Sequence, residues 1–459
     1  MSEATRRPVW RMPHRRWLAA AVAAAAASLL VAACGSAAGG GKASSSSSSS
    51  SGSGTTVTMW LVTTGPSPAN TAVQNLVSTF DKSHPGDTIT INFVENQSYK
   101  QKIQLAMGAG NAPTVFWTWG GGTLQQFIKA GDVASLGTAG SAPWLSDFLP
   151  SSLGAVTYQG QVYGVPVEGT QPVYFFYNKQ VFSKYHLTFP TTWPGLLSTV
   201  AKLKADGVAP IALAEGDQWP GLMYLEYLAD RIGGPSVAQA LQANTPGAWS
   251  NPAVTQALAD IQQLVKAGAF QTGYDSTKYS GGASDALLYS GKAAMQLMGD
   301  WDISSILGDS ASFVNSGNLG MAPFPTVPGG SGNPSDLAGN TASYVAISSK
   351  ASAAQKKVAE EFFSTALTST GYAKAEVGAG EVPVTKGAGS LFTGQSLASY
   401  DTTIYNSVQS APSFQYSWDQ AMTPSVATVM LTNLENIFTL SQTPAKFESV
   451  LNAEAKTGS

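Results

Sequence analysis

Residues 57–62 open with Val57-Thr58-Met59 in the alternation of a strand and continue as an apolar run, so they predict the first strand. Clear alternation of polar and apolar residues runs over 88–94, and between the two strands 72–82 repeats at helical spacing. Strand, helix and strand make a βαβ unit. A further helical stretch, 99–107, is broken by glycine and proline over 108–113, and the apolar run 114–119 then predicts a third strand ending in Gly120-Gly121-Gly122. From 182 to 317 the pattern is mostly helical, with candidate helices over 192–206, 221–232, 252–267 and 283–288, and a second run of helices occupies the C-terminus. This alternation predicts α/β layers rather than an all-β or all-α body. In open α/β sheets ligands lie beyond the carboxyl ends of the strands, so Thr63, Thr64, Glu95, Asn96, Trp119 and the glycines, Gly120 first, stand where a ligand would sit.

Residues before 57 follow a different logic. Arg6, Arg7, Arg11, Arg15 and Arg16 precede an alanine-rich apolar run, 17–30, too short and too rich in alanine for a persuasive membrane span, and then Val31-Ala32-Ala33-Cys34. This reads as a lipoprotein signal, 1–33, with Cys34 lipidated and made the new N-terminus by cleavage, so that the remainder works outside the cytoplasmic membrane and is tethered to it. A plain secretory signal with Cys34 incidental is the alternative, and Arg15-Arg16-Trp17-Leu18 leaves twin-arginine export open. Residues 34–56 are almost wholly small and polar, with an unbroken serine run from Ser44 to Ser51. Such a segment buries no core and reads as a flexible tether with a reach of roughly 25 Å.

Charge and cysteine content then narrow the body. Of 25 Lys and Arg and 28 Asp and Glu, the first 33 residues hold five Arg and one Glu, which leaves 20 against 27 and a net charge of −7. Arg231 is the one arginine left, which argues against nucleic acid and against an anionic ligand held by guanidinium pairs. With Cys34 the single cysteine, there is no disulfide framework, no Cys-ligated metal and no free catalytic thiol. Some 400 residues exceed what one hydrophobic core usually supports, so two domains are expected.

Several short stretches, each weak alone, carry a resemblance in their order and spacing: Gly108-Ala109-Gly110-Asn111-Ala112-Pro113-Thr114-Val115-Phe116, Tyr163-Gly164-Val165-Pro166-Val167-Glu168, Tyr177-Asn178-Lys179, Thr192-Trp193, Gly291-Lys292-Ala293-Ala294-Met295 and Gly299-Asp300-Trp301-Asp302. Over nearly the whole mature chain the sequence resembles the extracellular solute-binding proteins of ABC importers, in the large carbohydrate-binding family that includes the maltose-binding type. The resemblance implies a periplasmic-binding-protein-like type II fold, α/β, with two lobes joined by a hinge that the chain crosses more than once, near 166–170, 340–344 and 382–385. The N-terminal lobe would comprise 57–166 and 345–383, and the C-terminal lobe 167–344 and 384–459. It further implies lobes that close over a carbohydrate and a closed form that docks on ABC permease subunits. The chain itself would act as a monomer, with no cofactor and no metal.

A pyranose offers apolar C–H faces and a rim of hydroxyls, so its site wants aromatic planes with carboxylates or amides around the edge. Nine of the eleven tryptophans lie beyond residue 33, and Trp117, Trp119, Trp219, Trp301 and Trp418 sit among glycine, proline or acids. By the resemblance Trp301 is the stacking residue of a Gly-x-Trp element. Trp418 with Asp419, and Trp219 after the strand at 210–213, complete the C-terminal wall. Trp119 would supply a platform on the other lobe and Glu168 an acid at the hinge, with hinge pairing to backbone amides as its alternative role. Asp302 and Asp419 would accept hydroxyl hydrogen bonds, unless they only cap the helices that follow. Glu95, Asn96, Tyr99 and Tyr174 complete the edge candidates, while Asp230-Arg231 reads as structural. An exported glycoside hydrolase would use the same residue types, given two carboxylates about 5 to 10 Å apart. Against enzymes of other kinds, the chain has no Gly-x-Ser-x-Gly, no His-Glu-x-x-His, no CxxC and no Walker motif. A surface adhesin would explain the anchor but not the tryptophan-bearing loops.

Overall fold

The computed structural model describes residues 54–457; the signal segment, Cys34 and nearly all of the tether lie outside the described residues. Strand β1 (Thr56–Thr63) begins one residue inside the segment assigned to the tether. Helix α1 (Pro68–Ser83) follows, started by Ser67, whose hydroxyl accepts the Asn70 N–H at 3.2 Å, and by Pro68 in its first turn. Next come β2 (Thr88–Glu95), α2 (Asn96–Gly108), β3 (Val115–Thr118) and α3 (Gly121–Lys129). A small hairpin, β4 (Thr157–Tyr158) and β5 (Gln161–Val162), leads into β6 (Val165–Glu168) and β7 (Gln171–Asn178).

β8 (Ala209–Ala212) and β9 (Ala293–Gly299) alternate with helices, among them Trp193–Ala205, Trp219–Gly233, Pro252–Ala267 and Trp301–Asp309. The remaining strands are β10 (Leu319–Ala322), β11 (Leu337–Asn340), β12 (Ser343–Ile347) and β13 (Phe414–Tyr416). Helical segments including Thr370–Gly378, Ala398–Ser410 and Trp418–Ala421 complete the chain.

The strands form two mixed sheets, each with its own core. The first runs β2-β1-β3-β12-β6, with β1 parallel to β2 and β3, and β12 antiparallel to β3 and β6. Val57, Met59, Leu61, Phe116, Phe362 and Phe363 pack its interior. The second runs β13-β11-β7-β9-β8, with β10 on β7. Both β7 and β9 are buried almost throughout, as their unbroken apolar runs require, and Phe175, Tyr224, Leu228, Met295, Trp249 and Trp418 fill the core around them.

The chain passes between the sheets at Gly169-Thr170, from β6 to β7, and at Thr341-Ala342, from β11 to β12. β12 thus enters the first sheet at Ser343, two residues before the position assigned from sequence. The segment at Val382 lies against the first of these passages: Thr170 N–H donates to the Val382 carbonyl at 3.0 Å, and a side chain at Gly169 would overlap that carbonyl. Glycine is required there by close approach rather than by its φ.

Candidate functional site

β8 and β9 are parallel neighbours, and each ends by feeding a helix whose first residue is a tryptophan, Trp219 after β8 and Trp301 after β9. The two indoles therefore stand side by side, centroids 6.0 Å apart and planes inclined at 53°, with Tyr279 edge-on to Trp219 at 5.3 Å. They form one wall of a cavity between the two sheets, roughly 930 Å³ counting its space open to solvent. From the first sheet come Trp117 and Trp119, edge to face at 6.3 Å, with Asn96 and Lys100 from α2. Glu168, Gln171, Asn340 and Glu381 form the floor, near where the chain crosses. Asp419 lines the cavity too, and its carboxylate meets the Lys100 ammonium at 3.7 Å. The same ammonium stands 5.6 Å over the Trp119 ring.

Several polar atoms in this lining are buried and have no protein partner. They are Oδ1 of Asn96 and Asn340 and Nε1 of Trp117 and Trp219. Two acceptors and two donors held out of water in one aromatic cavity match the edge of a polyhydroxylated ligand, because an orphaned buried polar atom costs about 1–3 kcal/mol until something bonds it.

The floor is acidic. Burial, then the charge of Glu381, pushes the Glu168 carboxyl up, although Gln171 Nε2 donates to it at 3.2 Å. Burial brings Glu381 to about 7. Asp300, Glu376 and Asp401 stand close enough for Glu381 to raise each of them as well, after burial, with Asp401 at about 7. No lysine or arginine among the described residues pairs with any of the five. Among those residues, no group of three or more His, Cys, Asp or Glu is placed to hold a metal ion.

Of the residues proposed from sequence, Trp301, Trp219, Trp119, Asp419, Glu168, Asn96, Thr63 and Thr64 line the cavity. Six do not. Trp418 is fully buried, its Nε1 donating to Gln415 at 2.9 Å and its ring edge-on to Trp249. Asp302 is buried beside Asp285, accepting from Tyr279 Oη at 3.0 Å and Gln296 Nε2 at 3.2 Å; burial and the charge of Asp285 push its carboxyl up.

Glu95 caps α2 instead, accepting the Gln97 and Ser98 N–H groups and the Ser280 hydroxyl. Burial pushes it up, but these donors outweigh burial and bring it to about 2. Tyr174 points into the second core and a separate small cavity beside Leu337 and Ser407. Gly120 starts α3 at φ +80, with no room for a side chain against Ala155. Tyr99, another edge candidate, is buried and donates to the Trp117 carbonyl at 2.6 Å. Asn340, Gln171, Lys100 and Glu381 were not proposed from sequence, because only tertiary structure brings them to the cavity; the nearness of Asn340, Gln171 and Glu381 to the expected crossings at 340–344, 166–170 and 382–385 was the available hint.

The family model for bacterial extracellular solute-binding proteins matches residues 65–373. The chain belongs to this family. A solved structure described under xylan utilization by the thermophilic bacterium Caldanaerobius polysaccharolyticus is 29% identical with a TM-score of 0.78, the match covering 87% of this chain and 99% of that one. An "Uncharacterized ABC transporter extracellular-binding protein" of Pyrococcus horikoshii is 26% identical over 238 residues, 50% of this chain and 52% of the relative. A "Probable sugar-binding periplasmic protein" of Rhizobium meliloti is 26% identical over 203 residues, 43% and 47%. The matches thus span about half the length of these curated relatives. The two-lobed α/β architecture with mixed sheets is the type II form of the solute-binding fold. No helix among the described residues of this solute-binding protein is long and apolar enough to cross a membrane.

Proposed function

We propose that this solute-binding protein captures a neutral oligosaccharide between its lobes and delivers it to the permease of an ABC importer, binding without chemistry. The observation that carries the reading is the cavity itself. Trp219 and Trp301 stand on one side, Trp117 and Trp119 on the other, with unpartnered Asn96 and Asn340 oxygens between them. Apolar sugar faces stack on the indoles while hydroxyls bond the orphaned amides and the acidic floor. Four indoles suit more than one ring. The relatives support a sugar, one by its sugar-binding name and one by its xylan context, and xylan-derived oligosaccharides head the panel to be tried. The proposed lobes are those read from sequence, with the crossings as hinge. We further place the protein, a monomer, on the outer face of the cell membrane, held by a lipid on Cys34. Labelling with a radioactive fatty acid tests the anchor, since Cys34→Ser must abolish incorporation.

The test of binding is a thermal-shift screen of the protein against mono- and oligosaccharides. Ligand at 100 times its Kd adds about 2.7 kcal/mol of stability. A hit recovered intact and lost in Trp301→Ala supports the reading, whereas turnover of the hit, or no response across the panel, refutes it.

A further inference from the structure

Beyond the tryptophan walls the two lobes touch each other directly, and the contacts fall into two groups. One is a set of hydrogen bonds at the ends of β1 and β2. Ser280 Oγ donates to Glu95 Oε1 at 2.8 Å, Gln97 Nε2 donates to the Asp217 carbonyl at 2.7 Å, and Gly281 N–H donates to the Thr64 carbonyl at 2.8 Å. Glu95 is fitted to this role because it also accepts two amides of α2 and so stays ionised over the working pH range. The second group is packing without side chains. The first turn of α3 lies on the chain at Gln420 and Met422 so closely that a Cβ on Gly121 would overlap the Gln420 carbonyl, and one on Gly122 the Met422 carbonyl. Their obstacles are backbone atoms, which do not swing aside as a flexible side chain does.

We propose that Gly121 and Gly122 form the stop that fixes how far the lobes close, and that Glu95, Gln97 and Ser280 form the latch that holds them there. The two devices are chemically different for a reason. A stop must be rigid, and backbone against backbone is the stiffest surface a protein offers. A latch must release its cargo, and a few hydrogen bonds between partly hydrated groups are each weak in net terms. The glycine run at the end of β3 is therefore not a ligand-cradling loop. It is what lets α3 and the Gln420–Met422 backbone meet, bringing Trp119 on the strand end beside it toward the Trp219 and Trp301 wall.

Gly122 suits a test because its φ is not in the left-handed range and it sits in a helix, so alanine there suits the local backbone. Gly122→Ala should penalise only the closed form. In the full chain with Cys34→Ser, a Glu95→Cys and Ser280→Cys pair treated with a short bis-methanethiosulfonate reports closure with no sugar needed. Adding Gly122→Ala should cut the cross-linked fraction at least fivefold, while Gly108→Ala, where a methyl meets nothing, should leave it unchanged.

A second arm rests on the sugar reading and uses xylotetraose as its probe. Gly122→Ala should weaken it at least tenfold and Ser280→Ala a few-fold through faster release, with the thermal midpoint of sugar-free protein not lowered by either. Equal cross-linking with and without Gly122→Ala overturns the stop. Unchanged release in Ser280→Ala overturns the latch. Xylotetraose failing to bind the parent while cross-linking responds as expected counts against that cargo and leaves the stop supported, and if Gly122→Ala does not fold, Ser280→Ala still decides the latch.

Discussion

The acidic floor makes stability pH-dependent in an unusual direction, and Glu381 is the group to change. It is 2% exposed, one of its oxygens has no hydrogen-bond partner, and burial raises it from the ordinary 4.5 to about 7. Glu168 on β6, Glu376 in Thr370–Gly378, Asp300 ahead of Trp301–Asp309 and Asp401 in Ala398–Ser410 all feel its charge. A carboxyl whose folded value is raised holds its proton in the native state and gives it up more readily when unfolded. Its contribution is therefore fully present below about 4.5 and lost as pH rises through about 7. At about 1.4 kcal/mol per pH decade, ionising Glu381 in the fold costs roughly 3 kcal/mol. Glu381→Gln keeps the shape, removes the charge, and places an amide donor among carboxyl acceptors. Urea unfolding should find the two proteins alike near pH 5 and the variant more stable by about 2–3 kcal/mol at pH 8. Glu95, at about 2, does not blur this window, because it is ionised in both states throughout it. A difference that is the same at pH 5 and pH 8, or a variant less stable at both, would refute the reasoning.

Other outcomes follow from the same geometry. Trp301→Ala and Trp219→Ala, each removing one stacking plane, should weaken a bound oligosaccharide at least tenfold by calorimetric titration while the unfolding midpoint moves little, since both rings are only partly buried. Trp418→Ala should do the reverse, costing about 3–5 kcal/mol of stability in chemical denaturation while leaving the affinity of the folded protein unchanged. Arg231 is 1% exposed, donates to Asp230 at 2.6 Å and to the Pro334 and Asp336 carbonyls, and lies 5.0 Å from the Tyr227 ring. Arg231→Met should destabilise by about 3–5 kcal/mol in the same assay, because it strands a buried carboxylate, with sugar binding intact.

Much of the α/β pattern was legible because it is periodic and local. The apolar run at 57–62 and the alternating run at 88–94 became β1 and β2, and the helical stretch over 252–267 is the helix Pro252–Ala267. Helix starts drifted where a capping residue rather than periodicity decides them. The spacing put the first helix at 72, but Ser67 and Pro68 start it four residues earlier. Of the cavity floor only Glu168 was legible, as an acid at the expected first crossing. Glu381 stands in no periodic element, and its place beside Glu168 depends on a crossing some 200 residues further along the chain.

The three tryptophans paired with acids in the sequence show how far a topological rule reaches. Each opens a helix after a strand of the second sheet: Trp219 after β8, Trp301 after β9 and Trp418 after β13. By register β8, β9, β11 and β13 all run the same way, so all three positions fall at the carboxyl edge facing the other lobe. The rule finds the edge but not the direction of the side chain. At β13 a buried glutamate decides it. Glu226 Oε1 accepts the Trp418 N–H at 2.7 Å and the Ser417 hydroxyl at 3.0 Å, fixing the turn so that the indole drops onto Trp249 and the next residue, Asp419, takes the cavity-facing place. Burial holds Glu226 near 8, so at neutral pH it carries a proton and the turn keeps its shape without an uncompensated charge beneath the site. Sequence proximity to an acid thus led to a cavity-lining indole at Trp301, and at Trp418 to the neighbour that does the facing.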